Sequence, residues 1–288
     1  MIYRMLALNI DGTLLQDNGR LNKATKEAIE FAVSKGIKVT LVTSRNFSSA
    51  RRVAKELRLN TCLVTHQGSF VASEMDKPIL VRRINEDVTH DIVRFLEAFN
   101  CQIRLVHERY TIANKKKLPE NLIGKFVIQT SNRFSYSETY VDSLLDKLIE
   151  TPVSPPKIEV DFDNNIDLTD AKKALHQMFH EINCIENDNH ILEIVPQGSS
   201  KLKGVLYLCD RLNIQREEVV MIGSGKDDLA LIEWAGLGVA MGNASTKLKR
   251  SADWITRSNN ENGVSYMVKE HFRKQQPIEF LKKMNLIK

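Results

Sequence analysis

Short apolar runs alternating with helix-length amphipathic stretches constrain this chain more than any other feature. Residues 3–8 (YRMLAL) read as a buried strand, 37–42 as a second one rich in β-branched residues, and 62–65 as a third. Between the first two, residues 22–35 place Ala24, Ala28, Ile29, Ala32 and Val33 on one helical face, and Gly36 follows as a C-terminal cap. A second helix is expected over 50–59, and the turn His66-Gln-Gly-Ser69 follows the third strand. Buried strands separated by helices form a parallel sheet with right-handed crossovers, an α/β fold.

The pattern changes near Ile84. A helix over 86–99 precedes strand candidates at 102–106, 125–129 and 157–161, with helices expected over 136–149 and 167–182 and a strand over 190–195. That mixture is α+β rather than strict alternation. After Gly198 the alternation returns, with a helix over 201–212, a strand over 219–222, a helix over 227–235 and a strand over 237–241. Residues 1–83 and 190–288 are therefore expected to share one sheet, with 84–189 inserted as a separate α+β domain; Pro78 and Pro196-Gln-Gly198 lie near the junctions.

Composition narrows the class. Of 288 residues, 42% are apolar and 27% charged, ordinary for a soluble globular protein. No apolar run approaches the ~20 residues of a spanning helix. The chain opens on a strand-like segment rather than a basic-then-apolar leader, which suggests a cytoplasmic protein with no membrane partner. Cys62, Cys101, Cys184 and Cys209 are far apart and form no CxxC pair, so reduced, packed thiols are expected rather than disulfides or zinc. The net charge of +5 is spread out, and its densest run, Lys115-Lys-Lys117, lacks aromatic interleaving. It reads as a solvated loop, and no nucleic acid is expected as partner.

Several strands end in polar residues. The first delivers Asn9, Asp11, Gly12 and Thr13; the second delivers Thr43, Ser44 and Arg45; the strand over 219–222 delivers Gly223-Ser-Gly-Lys-Asp-Asp228. In an open α/β sheet such ends converge on one crevice. Hydroxyls, glycine-exposed N–H groups and helix N-termini suit a phosphate, and Lys201 could reach the same anion. Asp11, Asp227 and Asp228 would repel a bare phosphate unless a cation intervened, and Mg²⁺ is the natural candidate. His176 and His180, spaced i and i+4, lack the glutamate of the zinc-protease pattern and read as a surface pair. Met5, Met221 and Met241 read as packing.

Taken together, these segments resemble the haloacid dehalogenase-like phosphatases, specifically the Cof-type subfamily. Asn9-Ile-Asp-Gly-Thr-Leu14 stands against the family's DxDGTL, Val42-Thr-Ser-Arg45 against its TGR, Lys201 against the family lysine, and GSGKDD against GDxxND. Val239-Ala-Met-Gly-Asn-Ala244 and Glu261-Asn-Gly-Val264 match two further signatures. The resemblance implies a Rossmann-like core with an inserted α+β cap. It also implies Mg²⁺-dependent hydrolysis of a small phosphorylated metabolite through an aspartyl-phosphate. Its implied catalytic positions are Asn9, Asp11 (general acid/base), Thr43 and Lys201. Phosphate would meet Ile10, Gly12, Thr43, Ser44, Lys201 and Asp227, and the metal Asn9, Asp11, Ser224, Gly225 and Asp228.

The departures fall on the same places. Asn9 stands where the family has its nucleophile and metal ligand, Ser224 where it has another metal aspartate, Ser44 for the glycine of TGR, and Asp227 for the asparagine of GDxxND. An amide is a poor nucleophile, because its nitrogen lone pair is delocalised and its oxygen carries no full charge. Losing two carboxylates weakens Mg²⁺ binding, and the bulky Ile10 slows any deamidation of Asn9. The residues thus suggest either a crippled phosphatase or a non-catalytic phosphate- or metabolite-binding protein on the same fold.

Overall fold

The computed structural model describes residues 2–74, 77–115, 138–187 and 190–284. Its strands are β1 (Met5–Leu8), β2 (Lys38–Val42), β3 (Leu63–Thr65), β4 (Phe70–Glu74), β5 (Lys77–Val81), β6 (Cys101–Val106), β7 (Thr111–Asn114), β8 (Glu138–Val141), β9 (Lys157–Phe162), β10 (Ile182–Asn187), β11 (Ile191–Pro196), β12 (Val219–Gly223), β13 (Leu237–Ala240) and β14 (Trp254–Ile255). The helices are α1 (Lys23–Ser34), α2 (Phe47–Glu56), α3 (Glu86–Leu96), α4 (Leu144–Glu150), α5 (Asn165–Met178), α6 (Lys201–Leu212), α7 (Leu229–Trp234), α8 (Thr246–Ser251), α9 (Gly263–Phe272) and α10 (Ile278–Lys283).

Two compact units result. One comprises Met1–Arg45, Ala50–Leu80 and Ser200–Lys288, the other Asn46–Ser49 and Val81–Ser199. The first holds an eight-stranded sheet in the order β14-β13-β12-β1-β2-β3-β4-β5. From β14 to β3 its neighbours run parallel, and β4 returns antiparallel to β3. Chain order reverses at β1, with β2 on one side and β12 on the other, the topology that opens a crevice at strand carboxyl ends. Leu8 lies level with Ile222 of β12 and Leu41 of β2, so the three chains leave the sheet together.

Every residue of β1 is buried, as expected of a central strand covered on both faces. Met5 and Ala7 share a core with Leu208 of α6, Leu231 of α7 and Leu248 of α8. The alternate residues, Leu6 and Leu8, face the other side. Helix α1 runs almost as read from the sequence because Asn22 caps it, its side chain accepting from the Ala24 N–H at 2.8 Å. Thr25, Ala28, Ile29 and Ala32 form its buried face, whereas Val33 is 45% exposed, one residue past the end of that stripe.

The second unit packs α3, α4 and α5 against a six-stranded sheet in the order β10-β11-β9-β6-β7-β8. Three sequence expectations change here. The strand expected to return at 190 belongs to this sheet: β11 pairs antiparallel with both β10 and β9, which moves the junction to Ser199–Ser200. The helix expected over 136–149 is, in its described part, strand β8 followed by α4. Glu138-Thr-Tyr-Val141 pairs with β7, and Ser143 starts the helix by accepting from the Asp146 N–H at 3.1 Å. Helix α5 stops at Met178, so His180 lies beyond it and forms no helical pair with His176. The strand expected over 125–129, together with Lys116 and Lys117, lies outside the described residues.

Helix α2 begins three residues earlier than expected. Met5, Met221 and Met241 are buried, and among the described residues, which include all four cysteines, no disulfide forms. No described helix is long and apolar enough to cross a membrane.

Candidate active site

Strand β1 hands the chain to Asn9, whose N–H donates to the Ile222 carbonyl at 3.1 Å and whose side chain is almost wholly buried. Its oxygen accepts from the Ile10 N–H at 2.7 Å. Its Nδ2 donates to Asp228 Oδ2 at 2.9 Å and to the Asp11 carbonyl at 3.3 Å. The reversed amide would set nitrogen against an N–H and oxygen against a carboxylate, so the partners fix which end is which. Ile10, expected to meet phosphate, has its N–H taken by Asn9 and its side chain in the core.

The chain turns at Gly12, which is left-handed at φ +63°. A Cβ there would lie 2.8 Å from Ser224 Oγ. That hydroxyl donates to the Asp11 carbonyl at 3.1 Å and lies 3.1 Å from Thr13 Oγ1. With the serine proton committed to the carbonyl, the threonine donates to the serine. Asn243 Nδ2 closes the turn by donating to the Gly12 carbonyl at 2.9 Å.

Strand β2 delivers Thr43, fully buried, whose Oγ1 accepts from the Arg45 N–H at 3.1 Å, with Ser44 between them. The Arg45 guanidinium grips Asp11 with two parallel bonds of 2.7 and 2.6 Å, a fork that holds the implied acid/base carboxylate. Strand β12 delivers the loop to Asp228. Asp228 Oδ2 accepts from the N–H groups of Ser224 and Gly225, both at 2.9 Å, as well as from Asn9. Its Oδ1 accepts from Lys201 Nζ at 2.7 Å. Lys201, the first residue of α6, is 2% exposed and pairs equally with Asp227 Oδ2 at 2.8 Å. Gln67 Nε2 donates to that same oxygen at 2.7 Å.

Burial works against charge on all three of these groups. For Lys201 the two carboxylates overcome it and push the pKa above the usual lysine value. For Asp227 burial is outweighed by Lys201 and the Gln67 bond, and its pKa falls below the usual carboxylate range. Burial, with the neighbouring charge of Asp227, raises the pKa of Asp228, opposed by Lys201 and the Gly225 N–H.

The site thus gathers Asn9, Asp11, Gly12, Thr43, Ser44, Lys201, Ser224, Gly225, Asp227 and Asp228 at adjacent strand ends. It adds Gln67 and Asn243, which the sequence reading did not assign to the site, and gives roles to Thr13 and Arg45, which that reading placed at the strand ends without one. Arg45 closes the TSR segment and Asn243 lies in the MGNA segment, both visible signals. Gln67 gave only a turn. Its backbone is left-handed at φ +56°, a conformation unusual for a side chain of its size, and this aims the amide at Asp227.

Chemically, Asn9 cannot attack phosphorus, and each carboxylate of the site is held by donors. The donor set also fails to fit a divalent cation, because Asn9 and Ser224 turn an N–H and an O–H, not lone pairs, toward the Asp11 carbonyl. Among the described residues, no group of three or more His, Cys, Asp or Glu side chains could hold a metal ion.

An α/β core whose site lies at the reversal of strand order, with these signatures in sequence, defines the class, and residues 6–268 match the family described as haloacid dehalogenase-like hydrolase. The chain belongs to that family. It is 47% identical over 286 residues to the stress response protein YhaX of Bacillus subtilis (strain 168), covering 99% of each chain. It is 27% identical to the putative phosphatase YxeH of the same organism, covering 93% of this chain and 98% of that one. Among solved structures, a haloacid dehalogenase-like hydrolase from Bacteroides thetaiotaomicron superposes with a TM-score of 0.81 at 23% identity, over 93% of this chain and 99% of that one; it shares the fold.

Proposed function

We propose that this protein binds a small phosphorylated metabolite and has lost efficient phosphate-ester turnover, so that it acts as a sensor or binding protein on a phosphatase fold. The observation that carries the reading is the buried Asn9 amide, whose Nδ2 is committed to Asp228 and the Asp11 carbonyl, where the family has an attacking carboxylate. Thr43, Ser44 and the Gly12 turn remain at the strand ends for an anion, and Lys201 at the start of α6 offsets the carboxylates beside them. The name of the YhaX relative is that of a physiological role, not of a reaction, which suits this reading. The competing reading, a weak Mg²⁺-dependent phosphatase of the sugar-phosphate class, draws on the phosphatase names among the relatives and on the retained Asp11.

Calorimetry and p-nitrophenyl phosphate hydrolysis separate the two. Inorganic phosphate or a sugar phosphate should bind at millimolar concentration or below without added metal. Hydrolysis with Mg²⁺ should be slower than that of an active relative on the order of 10³-fold or more, the scale of losing a nucleophile. Turnover comparable to an active phosphatase, or no binding of any phosphate compound at millimolar concentration, would overturn the proposal.

A further inference from the structure

We infer that this site has replaced its divalent cation with hydrogen bonds from Asn9 and Ser224, so that the folded cleft is complete without Mg²⁺ and gains nothing from it. The inference shares Asn9 with the binding reading but does not depend on phosphate affinity. Failure to bind phosphate would leave it standing.

The Asp11 carbonyl accepts from Asn9 Nδ2 at 3.3 Å and from Ser224 Oγ at 3.1 Å. A carbonyl oxygen offers two lone pairs, and both are engaged. Asn9 Oδ1, the other oxygen that might turn toward a metal, is tied to the Ile10 N–H, and rotating the amide to release it would set Nδ2 against that N–H. Asp228 Oδ2 already takes three N–H donors. A cation entering here would have to break several of these bonds and sit close to the buried Lys201 ammonium, in return for a single carboxylate.

The substitutions also form one consistent set. Asn9 and Ser224 remove two carboxylates that a divalent cation would otherwise need to neutralise. Asp227 adds one carboxylate on Lys201, 2.8 Å from Nζ, where Gln67 steadies it. Two fixed cations, Arg45 and Lys201, then face three carboxylates, Asp11, Asp227 and Asp228, which leaves the metal-free cleft within one unit charge of balance.

Thermal melting of the full chain with EDTA and then with MgCl₂ tests this. Wild type should melt at the same temperature in both. Asn9→Asp/Ser224→Asp should melt lower in EDTA, because the new carboxylates face Asp228 and the Asp11 carbonyl without a counter-ion. It should recover by about 5 °C or more once Mg²⁺ is roughly a hundredfold above its dissociation constant. Titration of wild type with Mn²⁺, followed by the resonance of the unbound ion, keeps the inference testable if that variant does not fold; the expected result is no stoichiometric site. A saturable Mg²⁺ stabilisation of wild type that Ser224→Ala abolishes, or a stoichiometric Mn²⁺ site lost in Asn9→Ala, would overturn it.

Discussion

Lys201, Asp227 and Asp228 form a buried triad in which one ammonium serves two carboxylates, and its titration should be visible in stability. The pKa of Asp227 is held below the usual carboxylate value in the fold, so the group contributes stability that is fully present above the unfolded value of about 3.9. That contribution is lost as pH falls through the lower folded value. The pKa of Lys201 is raised, so its contribution is present below about 10.4 and is lost only as pH rises past its folded value. Asp228 works the other way: its raised pKa costs stability as pH rises from the usual carboxylate value through its folded value. Asp227→Asn keeps an oxygen for Gln67 but removes the charge, so it should flatten the fall in melting temperature below about pH 4 relative to wild type. An unchanged acid limb in that variant would show that Asp227 is not held ionised by Lys201.

At the scale of elements, strand ends decide the site, and most of them were legible. The runs 37–42 and 219–222 became β2 and β12 to within a residue, because short β-branched segments flanked by turn residues have few other uses. Helix α6 was legible in full, since Ser200 caps it and an apolar stripe continues through Leu208. Less was legible where pairing partners or caps decide. Helix α2 starts three residues before its apolar pattern suggested, with Asn46 Oδ1 accepting from the Ser49 N–H at 2.8 Å. Strand β8 follows from its neighbour β7, which no local periodicity announces.

The turn after β3 carried the least signal and holds the most strain. His66 and Gln67 are both left-handed, and Gly68 follows at φ +85° with its Cα against the start of α6. A methyl group on Gly68 would collide with the Ser200 carbonyl, at the residue that caps the helix bearing Lys201. Gly68→Ala should cost about 2 kcal/mol or more by denaturant unfolding, through both the clash and the positive φ. An alanine variant as stable as wild type would show that the turn and α6 are not in register as described.

At the scale of the whole molecule, the discontinuous core explains how residues more than two hundred positions apart reach one cleft. Met1–Arg45 supplies the nucleophile position and Ser200–Lys288 supplies Lys201 and the Asp228 loop, while the intervening segment folds about its own sheet. That division was legible because hydrophobic grammar changes with architecture; its second boundary was not, because β11 looks alike as the first strand of a core or the last of a cap. Sequence likewise exposed which signature residues had changed, but not that Asn9 and Ser224 would share the Asp11 carbonyl and Asp228 as partners while Asp227 pairs with Lys201. Only folded distances reveal that. The central claim is that the amide at position 9, seated in this network, is what separates the protein from its hydrolytic relatives. Rates of p-nitrophenyl phosphate hydrolysis for wild type, Asn9→Asp and Asn9→Asp/Ser224→Asp test it most directly. Asn9→Asp should restore part of the rate, and the double variant should exceed it with less Mg²⁺ needed for half activity, because the groups act as a unit. A wild type as fast as Asn9→Asp, with mass spectrometry confirming an intact amide at position 9, would contradict the account.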